Sequence, residues 1–314
     1  MLEILRELCT LDAVSGDEAA VRDYIINKIK NHCEYKIDPL GSIIAFKKGK
    51  KTPAKKVMLD AHMDEVGLII TYITDDGFLK FSAVGGIDTS ILMFRRVKVN
   101  GINGVISGKP IHLISADERK KLPDPHSLYI DIGASSKAEA LKLVSPGDRA
   151  VICGEYTDAG DKIKSKALDD RIGCAVLISM LLKEAEYDFY AVFSVQEEIG
   201  LRGAKAAAYT AAPDAAIVLE GTTAADIAGV EFSRRVCALG GGPAVSFMDR
   251  ATVYDKAYYN AALKSGITCQ PKAAVAGGNN SGAVHTSRGG VRTLAISVPC
   301  RYIHSPASVA DKCD

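Results

Sequence analysis

Apolar positions along this chain follow two rhythms, and the change between them marks out the architecture. Near the amino terminus Val21, Tyr24, Ile25 and Ile29 recur at helical spacing behind Ser15-Gly-Asp-Glu18, a stretch with the form of a capping box. Asp38-Pro-Leu-Gly-Ser42 is a turn, and residues 43–46 and 57–61 after it are short unbroken apolar runs with strand character. From about residue 66 the rhythm becomes β-branched runs broken by Asp76-Gly77, Gly85-Gly86, Asn100-Gly101, Asn103-Gly104 and Gly147-Asp148, with a helical look only at 137–143. Closely spaced strands with such turns predict a small β-barrel or sandwich inserted into the main domain.

After Lys166 helices and strands alternate again: a helix over 171–185, an apolar strand over 189–195, a helix over 204–209 and a strand over 215–219. Further units are predicted at 244–248, 255–264, 273–276 and 293–298. Strands without polar alternation, separated by helices, are what a sheet covered on both faces requires. The fold class is therefore α/β. A discontinuous main domain over 1–65 and 163–314 carries a β-rich insert over 66–162.

Composition removes several functions. The 314 residues are 47% hydrophobic and 25% charged, ordinary values for a packed soluble protein. A net charge of +1 supplies no basic field for nucleic acid or an anionic membrane, so neither is expected as a partner. No apolar run approaches the ~20 residues of a bilayer span, and the start of the chain lacks the form of a signal peptide. The eight cysteines are scattered and form no Cys-x-x-Cys pair, which suits reduced thiols in a cytoplasmic protein.

The chemistry gathers at strand ends. His62 and Asp64 follow the run at 57–61, Glu197 and Glu198 follow the strand ending at Gln196, Glu220 follows Leu219, and His304 comes shortly after Val298. Asp169 and Asp170 stand at a predicted helix start. Ligands of open α/β sheets collect outside the carboxyl ends of strands. Each residue alone has an ordinary structural explanation, such as a satisfied pair or a helix cap; their repetition at one sheet edge does not.

If Asp169, Glu198 and Glu220 converge, three carboxylates share a partly dehydrated cleft, which forces protonation or demands cations. Two divalent ions and a bridging hydroxide would balance them, with His62 and His304 as neutral nitrogen donors. Zinc or cobalt accepts such a set. Asp64 would orient His62 through its other ring nitrogen, and Glu197 would take the proton of the activated water and pass it to a leaving amine. Amide hydrolysis is the chemistry this predicts.

Four blocks, Ala61-His-Met-Asp-Glu-Val-Gly67, Lys166-Ala-Leu-Asp-Asp-Arg-Ile-Gly173, Val195-Gln-Glu-Glu-Ile-Gly-Leu-Arg-Gly203 and Arg301-Tyr-Ile-His-Ser-Pro306, resemble the metal-site blocks of the tetrahedral, or glutamyl/deblocking, aminopeptidases. The resemblance spans nearly the whole chain and includes Tyr129-Ile-Asp-Ile-Gly133 in the insert. It implies a peptidase domain with a central mixed sheet covered on both faces, and an insert that drives dimerisation. It also implies a homo-oligomer, up to a dodecamer built from dimers, that digests short peptides. On the same footing His62 and Glu220 would hold one metal, Glu198 and His304 the other, and Asp169 would bridge them. Glu197 would be the catalytic base and Asp64 the support of His62.

Two alternatives remain at this point. One is a non-catalytic assembly or binding member of the same fold; the other is a relative labelled endoglucanase, although adjacent Glu197 and Glu198 do not form the opposed pair a glycosidase needs. The sequence departs from the family at Glu220, where many members have Asp. It departs again at Gly277-Gly-Asn-Asn-Ser-Gly282, where a Thr-Asp pair is commoner, and it ends soon after His304. Gly240-Gly-Gly-Pro243 is read as a tight turn rather than a phosphate loop. His285, near Arg288, is read as serving packing or a hydrogen bond, with a place in the cleft as the lesser alternative.

Overall fold

The computed structural model describes every residue except Ala276 and the side chain of Arg119. Helices α1 (Leu2–Thr10) and α2 (Ala19–Ile29) lead into strands β1 (Glu34–Ile37), β2 (Ile43–Lys47) and β3 (Val57–His62). The chain then builds β4 (Gly67–Ile73), β5 (Leu79–Val84), β6 (Arg96–Val99), β7 (Ile102–Ile106) and β8 (Ile130–Asp131), followed by the one-turn helix α3 (Lys137–Ala140) and β9 (Arg149–Ile152). After β10 (Thr157–Ala159) and β11 (Lys162–Ser165) come α4 (Leu168–Leu181), β12 (Phe189–Ser194), α5 (Arg202–Ala211) and β13 (Ala215–Thr223). The last elements are β14 (Ala244–Val245), α6 (Lys256–Leu263), β15 (Gln270–Pro271), α7 (Ser281–Val284), β16 (Arg292–Arg301) and β17 (Ser308–Asp311).

Among the described residues one mixed sheet of eleven strands runs in the order β1-β2-β12-β3-β13-β16-β17-β11-β10, with β14 and β15 branching from β16. Its centre, β12, β3, β13 and β16, is parallel, and the flanking pairs are antiparallel. Side chains that alternate across the central strands feed two cores. Leu59, Ala61, Ala191 and Phe193 meet α1, α2 and α4 on one face; Met58, Val192 and Ala216 meet α5 and α7 on the other. Strands β4-β5-β8-β7-β6-β9 close into an antiparallel barrel around Leu68, Ile70, Leu79, Val97, Ile106 and Ile130. Closure leaves the barrel without an open edge.

Three local expectations fail for physical reasons. Ser15 and Glu18 form no capping box: α2 has no side-chain cap, and both residues serve long-range contacts. The strand predicted at 215–219 runs on to Thr223, so Glu220 lies inside β13 rather than after it. Its buried carboxylate reads as a strand end because its partners, Asn279 and Ser297, are remote in sequence. Residues 273–275 are not in a strand, and Ala276 of that predicted unit lies outside the described residues. Gly240 does sit in a turn, and the amides of Gly240 and Gly242 donate to the Asp314 carboxylate at 2.8 and 2.7 Å. All eight cysteines are free, and no helix among the described residues is long and apolar enough to cross a membrane.

Candidate metal centre

The carboxyl ends of parallel β3 and β12 deliver His62 and the Glu197-Glu198 pair to one rim of the sheet, and Glu220 is presented from within β13, three residues before its end. Asp169 enters at the start of α4, where Asp169 and Asp170 have non-helical dihedrals and are joined by a cis peptide. His304 comes from the turn after β16, with a left-handed φ of 59°.

Asp169 stands between the two imidazoles. Its Oδ1 lies 3.3 Å from His62 Nε2 and its Oδ2 lies 3.5 Å from His304 Nε2. His304 Nε2 is also 3.4 Å from Glu198 Oε1. Two sets of donor atoms lie mutually within 4.8 Å: His62 with Glu197 and Glu198, and Asp169 with Glu198 and His304. Glu220 belongs to neither set. Its Oε1 accepts from Asn279 Nδ2 at 3.0 Å and Ser297 Oγ at 2.9 Å, while the neighbouring Gly221 amide donates to Asp169 Oδ1 at 3.2 Å.

The far ring nitrogens are held as well. His62 Nδ1 faces the Asp64 carbonyl at 3.1 Å and Asp64 Oδ1 at 3.4 Å. Asp64 in turn accepts from the amides of Glu197 and Glu198 at 3.0 and 3.1 Å and from Ser15 Oγ at 2.6 Å. One buried carboxylate thus ties the ring, the acidic pair and the loop before α2 together. His304 Nδ1 bonds the backbone carbonyl of Gly86 at 2.9 Å, in the loop that follows β5 of the barrel.

Asp60 on β3 and Glu65 after it have separate tasks. Asp60 Oδ2 accepts from Asn280 Nδ2 at 2.7 Å, and burial pushes its carboxyl up to about 6. Glu65 Oε1 receives Lys166 Nζ at 2.6 Å and Arg171 at 3.2 Å. Lys166 also bonds the Leu11 carbonyl, and Arg171, fully buried, bonds that of Leu8. This buried cluster anchors α1 to both ends of the Asp169 segment. His285 Nδ1 bonds the Ser281 carbonyl within its own helical turn, and Arg288 lies over the Tyr209 ring.

Electrostatics tests whether these residues suit cations. Burial pushes Glu197 well above the usual carboxylate range, and Glu198 and Glu220 up to about 7. Burial disfavours the charged forms of both imidazoles. Nevertheless Asp169 and Asp64 hold His62 well above its ordinary value, and Asp169 and Glu198 hold His304 at about 9. Burial also works against ionised Asp64 and Asp169, but contact with the histidines holds both below the ordinary value. The pocket carries more negative charge than it can dissolve and recruits protons to cover the excess. Two imidazoles among buried carboxylates is a donor set that borderline divalent metals accept, so the residues fit such ions.

Sequence reasoning did not find Ser15, Asn279, Ser297 or the Lys166/Arg171 pair in these roles. Lys166 and Arg171 carried a signal, since they flank the acids of the 166–173 block. The others contact the site from tens of residues away in sequence.

A family model described as M42 glutamyl aminopeptidase matches residues 41–314. The chain belongs to this family. It resembles the aminopeptidase APDkam598 of the archaeon Desulfurococcus kamchatkensis at 37% identity and a TM-score of 0.92, over 98% of this chain and 89% of that one. The TET aminopeptidase of a marine sediment Thaumarchaeota archaeon superimposes with a TM-score of 0.93 at 31% identity, over 99% and 91%. The TET1 peptidase of Pyrococcus horikoshii, whose structure is described as assembling into a tetrahedron or a large octahedral shell, gives 0.86 at 34%, over 99% and 94%. The M42 chain is accordingly an aminopeptidase by family, with a candidate metal centre where its sheet ends.

Proposed function

We propose that this M42 protein is a dinuclear metallo-aminopeptidase that releases amino-terminal residues from short peptides. The observation that carries the reading is the Asp169 carboxylate, one oxygen toward each histidine, beside an adjacent pair of buried glutamates. In this reading Asp169 is shared by two sites. His62 and Glu220 serve one, and Glu198 and His304 serve the other.

Two divalent ions, zinc or cobalt by the donor set, would supply Lewis acidity and bring the pKa of a water to ~7. The chain's own residues do the rest. Asp64 fixes the ring of His62 and, through the Glu197 and Glu198 amides, the acidic pair itself. Glu197, already favouring a bound proton because it is buried, accepts one from the attacking water and hands it to the departing amine nitrogen. The new carbon–oxygen bond forms as the carbon–nitrogen bond breaks, leaving a carboxylate and a free amino terminus.

The division into a peptidase body over 1–65 and 163–314 and an insert over 66–162 belongs to the same proposal, with the barrel as the place where copies meet. The TET relatives support a homo-oligomer, up to a dodecamer built from dimers. Eight unpaired thiols support a reducing, cytoplasmic setting. Glu197→Gln tests the assignment: turnover of aminoacyl-anilide substrates should fall by roughly 10²- to 10⁴-fold while elemental analysis still finds two metals per chain. Undiminished turnover would remove Glu197 from the role.

A further inference from the structure

Glu220 sits opposite Ser297 in the parallel pairing of β13 with β16. The Ser297 hydroxyl reaches across that pairing to Oε1, and the Asn279 amide reaches the same oxygen from the loop before α7. Oε2 has no hydrogen bond among the described residues. A glutamate loses side-chain freedom when fixed, so a carboxylate on this longer stem needs bracing before it can meet an ion in one geometry. The two donors on Oε1 supply the bracing and leave the other oxygen available.

Asn279 is itself held in one orientation. Its Oδ1 accepts the Ser281 amide at 2.8 Å, which turns Nδ2 toward Glu220 and settles which end of the amide is the donor. Nδ2 also meets Tyr254 Oη at 2.9 Å and Asp249 Oδ2 at 3.3 Å. Tyr254 donates to Asp249, whose Oδ1 is tied to the amides of Ala251 and Thr252 at 2.8 and 2.7 Å. Asn279 is 2% exposed. A continuous chain of bonds therefore runs from the backbone at 251–252 to one oxygen of Glu220.

We propose that Asn279 is a positioning residue for Glu220, presenting Oε2 to the ion shared with His62; this rests on the reading of Glu220 as a metal ligand. It gives the Gly277–Gly282 segment a task matched to the glutamate at 220. The test uses zinc-loaded protein, with metals per chain from elemental analysis and the two dissociation constants from chelator competition. Asn279→Leu, close in size but without a donor, should weaken one ion roughly 10- to 100-fold and leave the other unchanged. Ser297→Ala should weaken the same ion, and it guards against misfolding of the first variant. In a Glu220→Ala background the Asn279 substitution should add no further loss, since its effect passes through that carboxylate. Both ions retained at parental affinity, equal weakening of both, or additive losses would each overturn the proposal. A parental protein that binds no second ion would instead remove the ligand reading on which it stands.

Discussion

The two histidines of the candidate centre are mounted in opposite ways. His62 ends a central strand, has its side chain 5% exposed, and is steadied by a carboxylate that also grips Ser15 and two amides. His304 rides a turn with left-handed backbone, its side chain 32% exposed, and is steadied by one carbonyl from the barrel. Both face Asp169 at nearly the same distance. Similar donor geometry has been reached on one side by burial inside the sheet and on the other by contact between two substructures. The first side should resist perturbation of its surroundings, and the second should respond to it.

The strongest way to break this contrast is to remove what the two sides share. Asp169→Ala should cost both ions, leaving metal content below one per chain and peptidase activity at background, because both histidines lose the carboxylate that faces each of them. Asp64→Ala should separate the sides. Affinity for the ion at His62 should drop about 10- to 100-fold in chelator competition, with a smaller loss at His304, whose partner Glu198 is held by Asp64 only through its backbone amide.

Acidity sharpens the comparison through stability. Without metals His304 titrates at about 9 against 6.5, and Glu198 and Glu220 at about 7 against 4.5. All three hold more protons folded than unfolded between those values, so the metal-free protein should lose stability as pH climbs from about 4.5 to about 9. Asp64 and Asp169, held low, act the other way and only as pH falls below 3.8. Bound cations favour the deprotonated forms. Melting temperatures of loaded and stripped protein should therefore diverge as pH rises.

The smallest expected effects lie in the barrel loop. Gly85 has φ +84°, and a Cβ there would stand 2.8 Å from Val66 and 3.2 Å from the Cβ of Glu198. Gly85→Ala should cost more than ~1 kcal/mol of stability and disturb the His304 side. At Gly86 a Cβ would meet the His304 ring at an ordinary 3.5 Å. Gly86→Ala should stay within ~0.5 kcal/mol in thermal melts.

Much of the fold was legible because burial writes itself into periodicity. Strands covered on both faces, such as 57–61 and 189–195, stand out as apolar runs, and the barrel announces itself through its turn pairs. What escaped was polar chemistry satisfied at long range. Glu220 looked like the end of β13 since its partners, Asn279 and Ser297, lie 59 and 77 residues away. Ser15 and Glu18 looked like a local cap, yet the hydroxyl bonds Asp64 and the carboxylate bonds the Gln196 amide. The histidines and acids could be picked out by type and by their place after strands. Which oxygen faces which nitrogen is a property of packing that no spacing along the chain contains.

The bond from His304 to Gly86 joins a ring at the rim of the large sheet to a loop of the barrel. A displacement of that loop would therefore move the acceptor that sets the angle of one imidazole. If copies meet through the barrel, association itself becomes a screw that adjusts that angle.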